Sequence, residues 1–261
     1  MIDFHTHIFP EKIAKATLAF LSDKCEISPY TNGIAAGLSE STQAAGLDIS
    51  VVLPVVTNPS QFTSINEFAA GLSQANLLSF GGIHPDASNY KEELHILKKY
   101  GFKGIKLHPD YQGTFINDIR YEHIIDHACE LGLIVSIHAG FDPGYSECIH
   151  CPPDLAAQML DDVQPENIVL AHMGGLKQWD MVEDLLVGRD VYFDTAVVFG
   201  QIADDQFLRI CRNHGADKIL FATDSPWSGQ KKSIDYLKSM NLTEKEKDQI
   251  FDGNARKLLT L

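Results

Sequence analysis

Cysteine is scarce, with Cys25, Cys129, Cys148, Cys151 and Cys211 the only five in 261 residues. An odd, scattered set does not make the disulfide framework of a small secreted domain, and it points to reduced thiols in a reducing compartment. Long hydrophobic runs are missing too, and no stretch approaches the ~18 apolar residues of a membrane span. Positive charge is short: 21 Lys+Arg against 35 Asp+Glu leave a formal net charge of −14. A surface of that sign repels phosphate backbones, so nucleic acid is not an expected partner. The opening residues run straight into a strand pattern without the basic and apolar stretches of a secretory leader, and the expectation is a cytoplasmic protein. No Pro/Gly/Ser linker, low-complexity tract or short repeat divides the chain, so residues 1–261 read as one domain.

What is present is ordinary in composition, 44% apolar and 21% charged, and regular in pattern. Eight apolar runs rich in β-branched residues are candidate strands: Ile2–His7, Ile49–Val55, Leu77–His84, Phe102–His108, Leu133–His138, Asn167–His172, Val191–Thr195 and Lys218–Asp224. Runs apolar on both faces suit parallel strands covered by helices. Helical periodicity lies between them: Arg120–Leu131 stopped by Gly132, Pro152–Leu160 with proline in its first turn, and Asp204–His214 ended by Gly215. A last helix opens at Thr243, with Glu246 three residues on forming a capping-box pattern. Eight strands alternating with helices over this length predict an α/β fold, a single (β/α)8 TIM barrel with its active site at the C-terminal ends of the strands. Two long connections, Pro10–Gly46 and Ala139–Pro153, follow strand ends and are expected to set substrate selectivity.

The chemistry-bearing residues close these strands. His5 and His7 lie two apart and share a strand face, which makes them half of a metal site. His138 and His172 end the fifth and sixth runs, and Asp224 ends the eighth within Ala222-Thr223-Asp224-Ser225-Pro226-Trp227. A carboxylate there binds an ion or caps the turn that Asp-Ser-Pro favours. Beside a metal it also accepts a proton from the bound water, whose pKa falls toward ~7. On the fourth strand Lys106 and His108 share a face and are expected at the mouth. His84 ends the third strand without a defined role, and Asp194 is placed to hydrogen-bond a ligand histidine or to serve the fold. Cys148-Ile149-His150-Cys151 is half of a structural zinc site at best and reads as a loop. Gly174-Gly175 supplies a tight turn, with no phosphate-loop spacing around it.

The opening Asp3-Phe4-His5-Thr6-His7, His138, His172 with Met-Gly-Gly after it, Asp224 in its Ala-Thr-Asp-Ser-Pro-Trp setting, and Gly253-Asn254-Ala255-Arg256 together resemble the amidohydrolase superfamily. The similarity is to its amidohydrolase-related (amidohydrolase 2) branch of metal-dependent TIM-barrel enzymes and covers essentially the whole chain. It implies that His5, His7, His138 and Asp224 hold one divalent ion, most often zinc. His172 then joins the ligands or acts as acid/base and carbonyl polariser. Binuclear relatives bridge two ions with a carboxylated lysine or a glutamate on the fourth strand. Lys106 could take that part, or with His108 contact an anionic substrate, the arrangement expected here with one ion.

The first expectation is therefore a metal-dependent hydrolase that turns a metal-activated water on the amide, lactone or ester bond of a small, anionic molecule. Asp224, His172, Lys106 and His108 are its catalytic candidates. A non-oxidative decarboxylase of an aromatic or muconate-type acid is the alternative, since the opening His-Thr-His-Ile-Phe-Pro is similar in such relatives. A TatD-like deoxyribonuclease is a third reading, against which stand the acidic charge and the absence of a fourth-strand glutamate. A non-catalytic ligand-binding barrel is the fourth. The resemblance also suggests a homodimer.

Overall fold

A computed structural model describes residues 1–261. They fall into two compact units, Met1–Val52 with Leu72–Leu78 and Asp194–Leu261, and Leu53–Gly71 with Ser79–Phe193.

In the first unit, β1 (Ile2–Thr6) runs parallel to β2 (Ile49–Val52), followed by β3 (Leu77–Ser79) in the order β1-β2-β3. All five residues of β1 are buried, as expected of a parallel strand covered on both faces. The long connection after β1 is not irregular. It holds helices Glu11–Cys25 and Ala35–Ala44, joined by a strap that leaves the first helix through Glu26 in the left-handed region, φ 54°. Helix Asp204–His214 has the expected bounds. Asp204 and Asp205 lie in its first turn and Arg212 and His214 in its last, where each sign complements the helix dipole. Phe207, Ile210 and Cys211 form its inner face. The Thr243–Glu246 capping box is formed, with Glu246 accepting from both the backbone and the hydroxyl of Thr243. From there the chain runs through a π-helical turn, Gln249–Gly253, into Asn254–Leu259. Asn254 donates to the carbonyls of Ala216 and Ile219 and so anchors the entry to β9 (Ile219–Leu220).

The second unit is built on parallel strands β4 (Gly81–Gly82), β5 (Gly104–Leu107), β6 (Ile134–Ile137), β7 (Ile168–Leu170) and β8 (Tyr192–Asp194, whose last residue is counted with the first unit), paired in sequence order. Lys106 pairs with Ser136, and Leu107 with Ile137 and then Leu170, so the ends of β5, β6 and β7 lie level. Helix Ile119–Glu130 buries Tyr121, Ile124, Ile125 and Ala128 and starts on an Asp118 side-chain cap. Helix Pro153–Val163 buries Ala156, Met159 and Leu160. The third predicted run, Leu77–His84, is divided at Phe80 into β3 and β4. Its second half has no room for side chains: a Cβ on Gly81 would lie 2.8 Å from Leu97, and one on Gly82 2.9 Å from Val56.

Candidate metal centre

β1 alternates Ile2 and Phe4 on one face with Asp3 and His5 on the other. Its register against β2 shifts between Asp3 and Thr6, an irregularity of the kind that re-aims a side chain at a site. Thr6 holds the strand end by donating to the Val51 carbonyl. The segment after β9 lies along β1: Phe4 N–H donates to Phe221 O, Asp224 N–H to His5 O, and His7 N–H to Ser225 O. Asp3 fixes that alignment. Its carboxylate accepts from the backbone and hydroxyl of Thr223, at 3.0 and 2.6 Å, and from the Gln230 amide at 2.8 Å. Burial pushes the Asp3 carboxyl up to about 7, against those hydrogen bonds.

The outcome is a triad. His5 Nε2 lies 3.0 Å from His7 Nε2 and 3.3 Å from Asp224 Oδ1, and His7 Nε2 lies 3.1 Å from the same oxygen. Ligands about 2.0–2.1 Å from a tetrahedral ion stand roughly 3.3 Å apart, so the three atoms have the spacing of one face of such a site. His5 Nδ1 is 2.9 Å from Asp194 Oδ2, with both side chains fully buried. That bond keeps the proton on Nδ1 and leaves Nε2 as the lone-pair atom, the arrangement of carboxylate–histidine–metal sets. The residues present therefore fit a divalent cation. Asp224 reaches the triad from a backbone at φ 65°. Non-glycine residues in the left-handed region cost free energy and concentrate at functional sites.

In the second unit, His138 and His172 are together, with His138 Nδ1 3.0 Å from His172 Nε2. His172 and Met173 both have positive φ, at 60° and 55°. The turn is closed by Gly174 and Gly175 amides donating to Ala171 and His172 carbonyls, and Trp179 donates its indole N–H to His172 O. His108 stacks on His138 with ring centres 4.1 Å apart and on Tyr111 at 3.9 Å. Two carboxylates face these rings: Asp142 Oδ2, 3.5 Å from His108 Nε2 and 3.9 Å from His138 Nε2, and Asp110 Oδ2, 3.6 Å from His138 Nε2. Asp110 Oδ1 accepts from the backbone and ring of His150, each at 2.9 Å, while its Oδ2 is buried without a hydrogen bond. Burial pushes the Asp110 carboxyl upward. Lys106 is fully buried, and its charge is felt by the buried Cys151 thiol, which desolvation raises far above its usual range. His84 is buried and accepts the Asp86 amide, and burial lowers its pKa.

Asp3, Asp110, Asp142 and His150 thus shape the two clusters without having been assigned roles from sequence. Asp3 stood two residues before His5 on the same strand face, and that spacing was its signal. Asp110 sits in a one-turn helix, Pro109–Gln112, after β5, and Asp142 and His150 in the loop after β6, where no periodicity encodes the conformation.

The family described as Amidohydrolase matches residues 2–261. The chain belongs to that family. Among curated proteins none matches the sequence. Among solved structures, the chain is similar to an uncharacterized TIM-barrel protein from Bordetella bronchiseptica, with TM-score 0.77, 17% identity, and 100% of this chain and 98% of the other covered. It is similar to 2,6-dihydroxybenzoate decarboxylase complexed with 2,6-dihydroxybenzoate, with TM-score 0.73, 16% identity, and 100% and 99% covered. It is also similar to a dihydroxybenzoic acid decarboxylase from Polaromonas sp. with bound manganese and the inhibitor 2-nitroresorcinol, at TM-score 0.72, 15% identity, and 100% and 96% covered. These likenesses show the fold class predicted from the strand count, an α/β TIM barrel. A family member with grouped His and Asp side chains is an enzyme that binds a divalent metal.

Proposed function

We propose that this amidohydrolase-family member is a metal-dependent, non-oxidative decarboxylase of a small aromatic acid. The observation that carries the reading is the convergence of His5 Nε2, His7 Nε2 and Asp224 Oδ1, with Asp194 holding His5 in the ligating tautomer. Decarboxylation is preferred to hydrolysis because two of the similar structures are decarboxylases of dihydroxybenzoates. On the sequence resemblance, we assign His138 as a further ligand and His172 as an acid/base group. Two imidazoles and a carboxylate suit zinc and manganese alike. A divalent ion bound there supplies a Lewis acid for the oxygens of the acid.

The residues supply the rest. Asp224, its side chain partly open to solvent, delivers a proton to the ring carbon that carries the carboxylate. The C–C bond then breaks, CO2 leaves, and the electron pair restores the ring, while solvent returns the proton. Lys106 is assigned to neutralising negative charge at the site, and His108 to contacting the acid. Hydrolysis of a small amide, lactone or ester is the second reading, favoured by the family description.

The test is CO2 release from a panel of hydroxybenzoates by the metal-replete and the chelated protein, beside elemental analysis. Release that stops on chelation, returns with zinc or manganese, and is lost in Asp224→Asn is the expected result. Cleavage of amides or lactones without CO2 from any hydroxybenzoate would replace the reading with hydrolysis.

A further inference from the structure

Within the first unit a cavity of about 440 Å³ opens between the strap after helix Glu11–Cys25, the Val197–Gln201 turn, and the segment Trp227–Lys232. Its volume lies within the range of small-ligand sites. Tyr30, Phe199 and Trp227 give it aromatic walls, and Lys232 gives it an ammonium. The walls are fixed. Phe199 stacks on Tyr236 at 5.1 Å and tilts against Phe207 at 5.5 Å. Tyr30 N–H donates to Pro226 O, and the Tyr30 ring lies where a Cβ on Gly229 would stand 2.8 Å away.

Lys232 is placed against its own electrostatics. It sits in the first turn of helix Gln230–Ser239, where unpaired N–H groups already concentrate positive potential and a cation is disfavoured. Its neighbour Lys231 pairs with Asp235, but Lys232 forms no ion pair; its polar contact is Tyr30 Oη at 3.4 Å. The cavity is also built on the turn that carries a triad member. Trp227 N–H donates to Asp224 O at 2.8 Å, which closes a four-residue turn whose end Cα atoms lie within about 7 Å.

We propose that this cavity receives the aromatic acid, with Tyr30, Phe199 and Trp227 enclosing its ring and Lys232 meeting its negative charge. The proposal rests on the decarboxylase reading for the kind of acid, and on the walls, the ammonium and the shared turn for the place. Lys232 is then a specificity-determining residue on an exposed helix end, distinct from the fully buried Lys106. Glu26 also lines the cavity and opposes an entering anion, so Glu26→Gln tightens binding.

The probe is 2,6-dihydroxybenzoate, titrated into the metal-replete protein by calorimetry and by tryptophan emission. Only two tryptophans are present, and Trp179 is buried against His172, so Trp227 reports on the cavity. The expected result is quenching that Trp227→Phe removes, with the dissociation constant raised roughly tenfold or more in Lys232→Met, the weight of a charge-assisted hydrogen bond. Lys231→Met leaves it unchanged. The neutral 2,6-dihydroxybenzamide binds more weakly to the native protein and equally to Lys232→Met. Native-like affinity in Lys232→Met, or no binding by the native protein, overturns the proposal. CO2 release measured on the same samples separates the two ideas. Release with an indifferent Lys232 sinks the cavity and spares the decarboxylase reading, whereas Lys232-dependent binding without release does the reverse.

Discussion

Replacing Asp194 by asparagine tests the proposed metal centre at its least visible member. Asp194 Oδ1 accepts the Ala196 amide at 3.0 Å and Oδ2 faces His5 Nδ1 at 2.9 Å. An asparagine keeps the first bond through its carbonyl and turns its amide toward the imidazole. Two donors then meet at Nδ1, and the ring relieves the conflict by moving its proton to Nε2. That is the atom aimed at His7 and Asp224, so the favoured tautomer no longer ligates. Loss of such a partner weakens metal binding by roughly 10–100-fold. With metal in excess, stabilisation follows RT ln(1 + [M]/Kd), so the variant forfeits about 1.4–2.7 kcal/mol of it. For a chain of this size that is roughly 3–10 °C of the metal-induced rise in Tm. The metal-free variant should melt no lower than the metal-free native protein, because a buried charge has been removed. Competition against a chromophoric chelator gives Kd, and melting with and without metal gives the linkage. A Kd within twofold of native would refute the role given to Asp194.

Three further expectations follow from particular residues. Glu93 is 8% exposed and burial pushes its carboxyl from 4.5 up to about 7. The folded state therefore binds more protons between those values, and stability falls as pH rises through them by no more than about 3 kcal/mol. Glu93→Gln should flatten that slope in urea unfolding at pH 5 and 8, and an unchanged slope would count against it. Gly140 has φ 84° and a Cβ there would stand 2.1 Å from Leu176 N, whereas Gly132, φ 64°, has open space around it. Gly132→Ala should cost roughly 1–2 kcal/mol and Gly140→Ala clearly more, read as Tm. His138→Ala should abolish metal binding while Cys148→Ala, at an exposed thiol, barely alters it; equal effects would return the Cys148–Cys151 loop to metal chemistry.

Most of the fold was legible because parallel strands and their helices carry strong periodic signals. Helix Asp204–His214 and the Thr243 capping box stand where charge, capping residues and glycine placed them. The eighth run, Lys218–Asp224, is longer in the sequence pattern than in the structure. Only Ile219–Leu220 is a regular strand, because residues 221–225 pair irregularly with β1 through backbone bonds and through Thr223 to the Asp3 carboxylate. His5, His7 and Asp224 were legible as strand-end ligand types, and Asp194 as a partner for one of them. Asp110, Asp142 and His150 were not, because tertiary contacts such as the Gly140 N–H to Cys151 O bond set the loop that carries two of them.

The bonds from β1 to residues 221–225 also set a timetable. During synthesis, all the residues of the unit formed by Leu53–Gly71 and Ser79–Phe193 have been joined before Asp224 exists. At ~5–20 residues per second, His5 and His7 wait on the order of 10–40 s for their carboxylate partner. Ile2 and Phe4, buried in the finished protein, spend that interval on a strand that lacks its backbone bonds to residues 221–225. Assembly of the triad is accordingly a late event, because it waits for Asp224. A chain cut ahead of Asp224 loses more than that carboxylate, because the backbone bonds that hold His5 and His7 in register go with it.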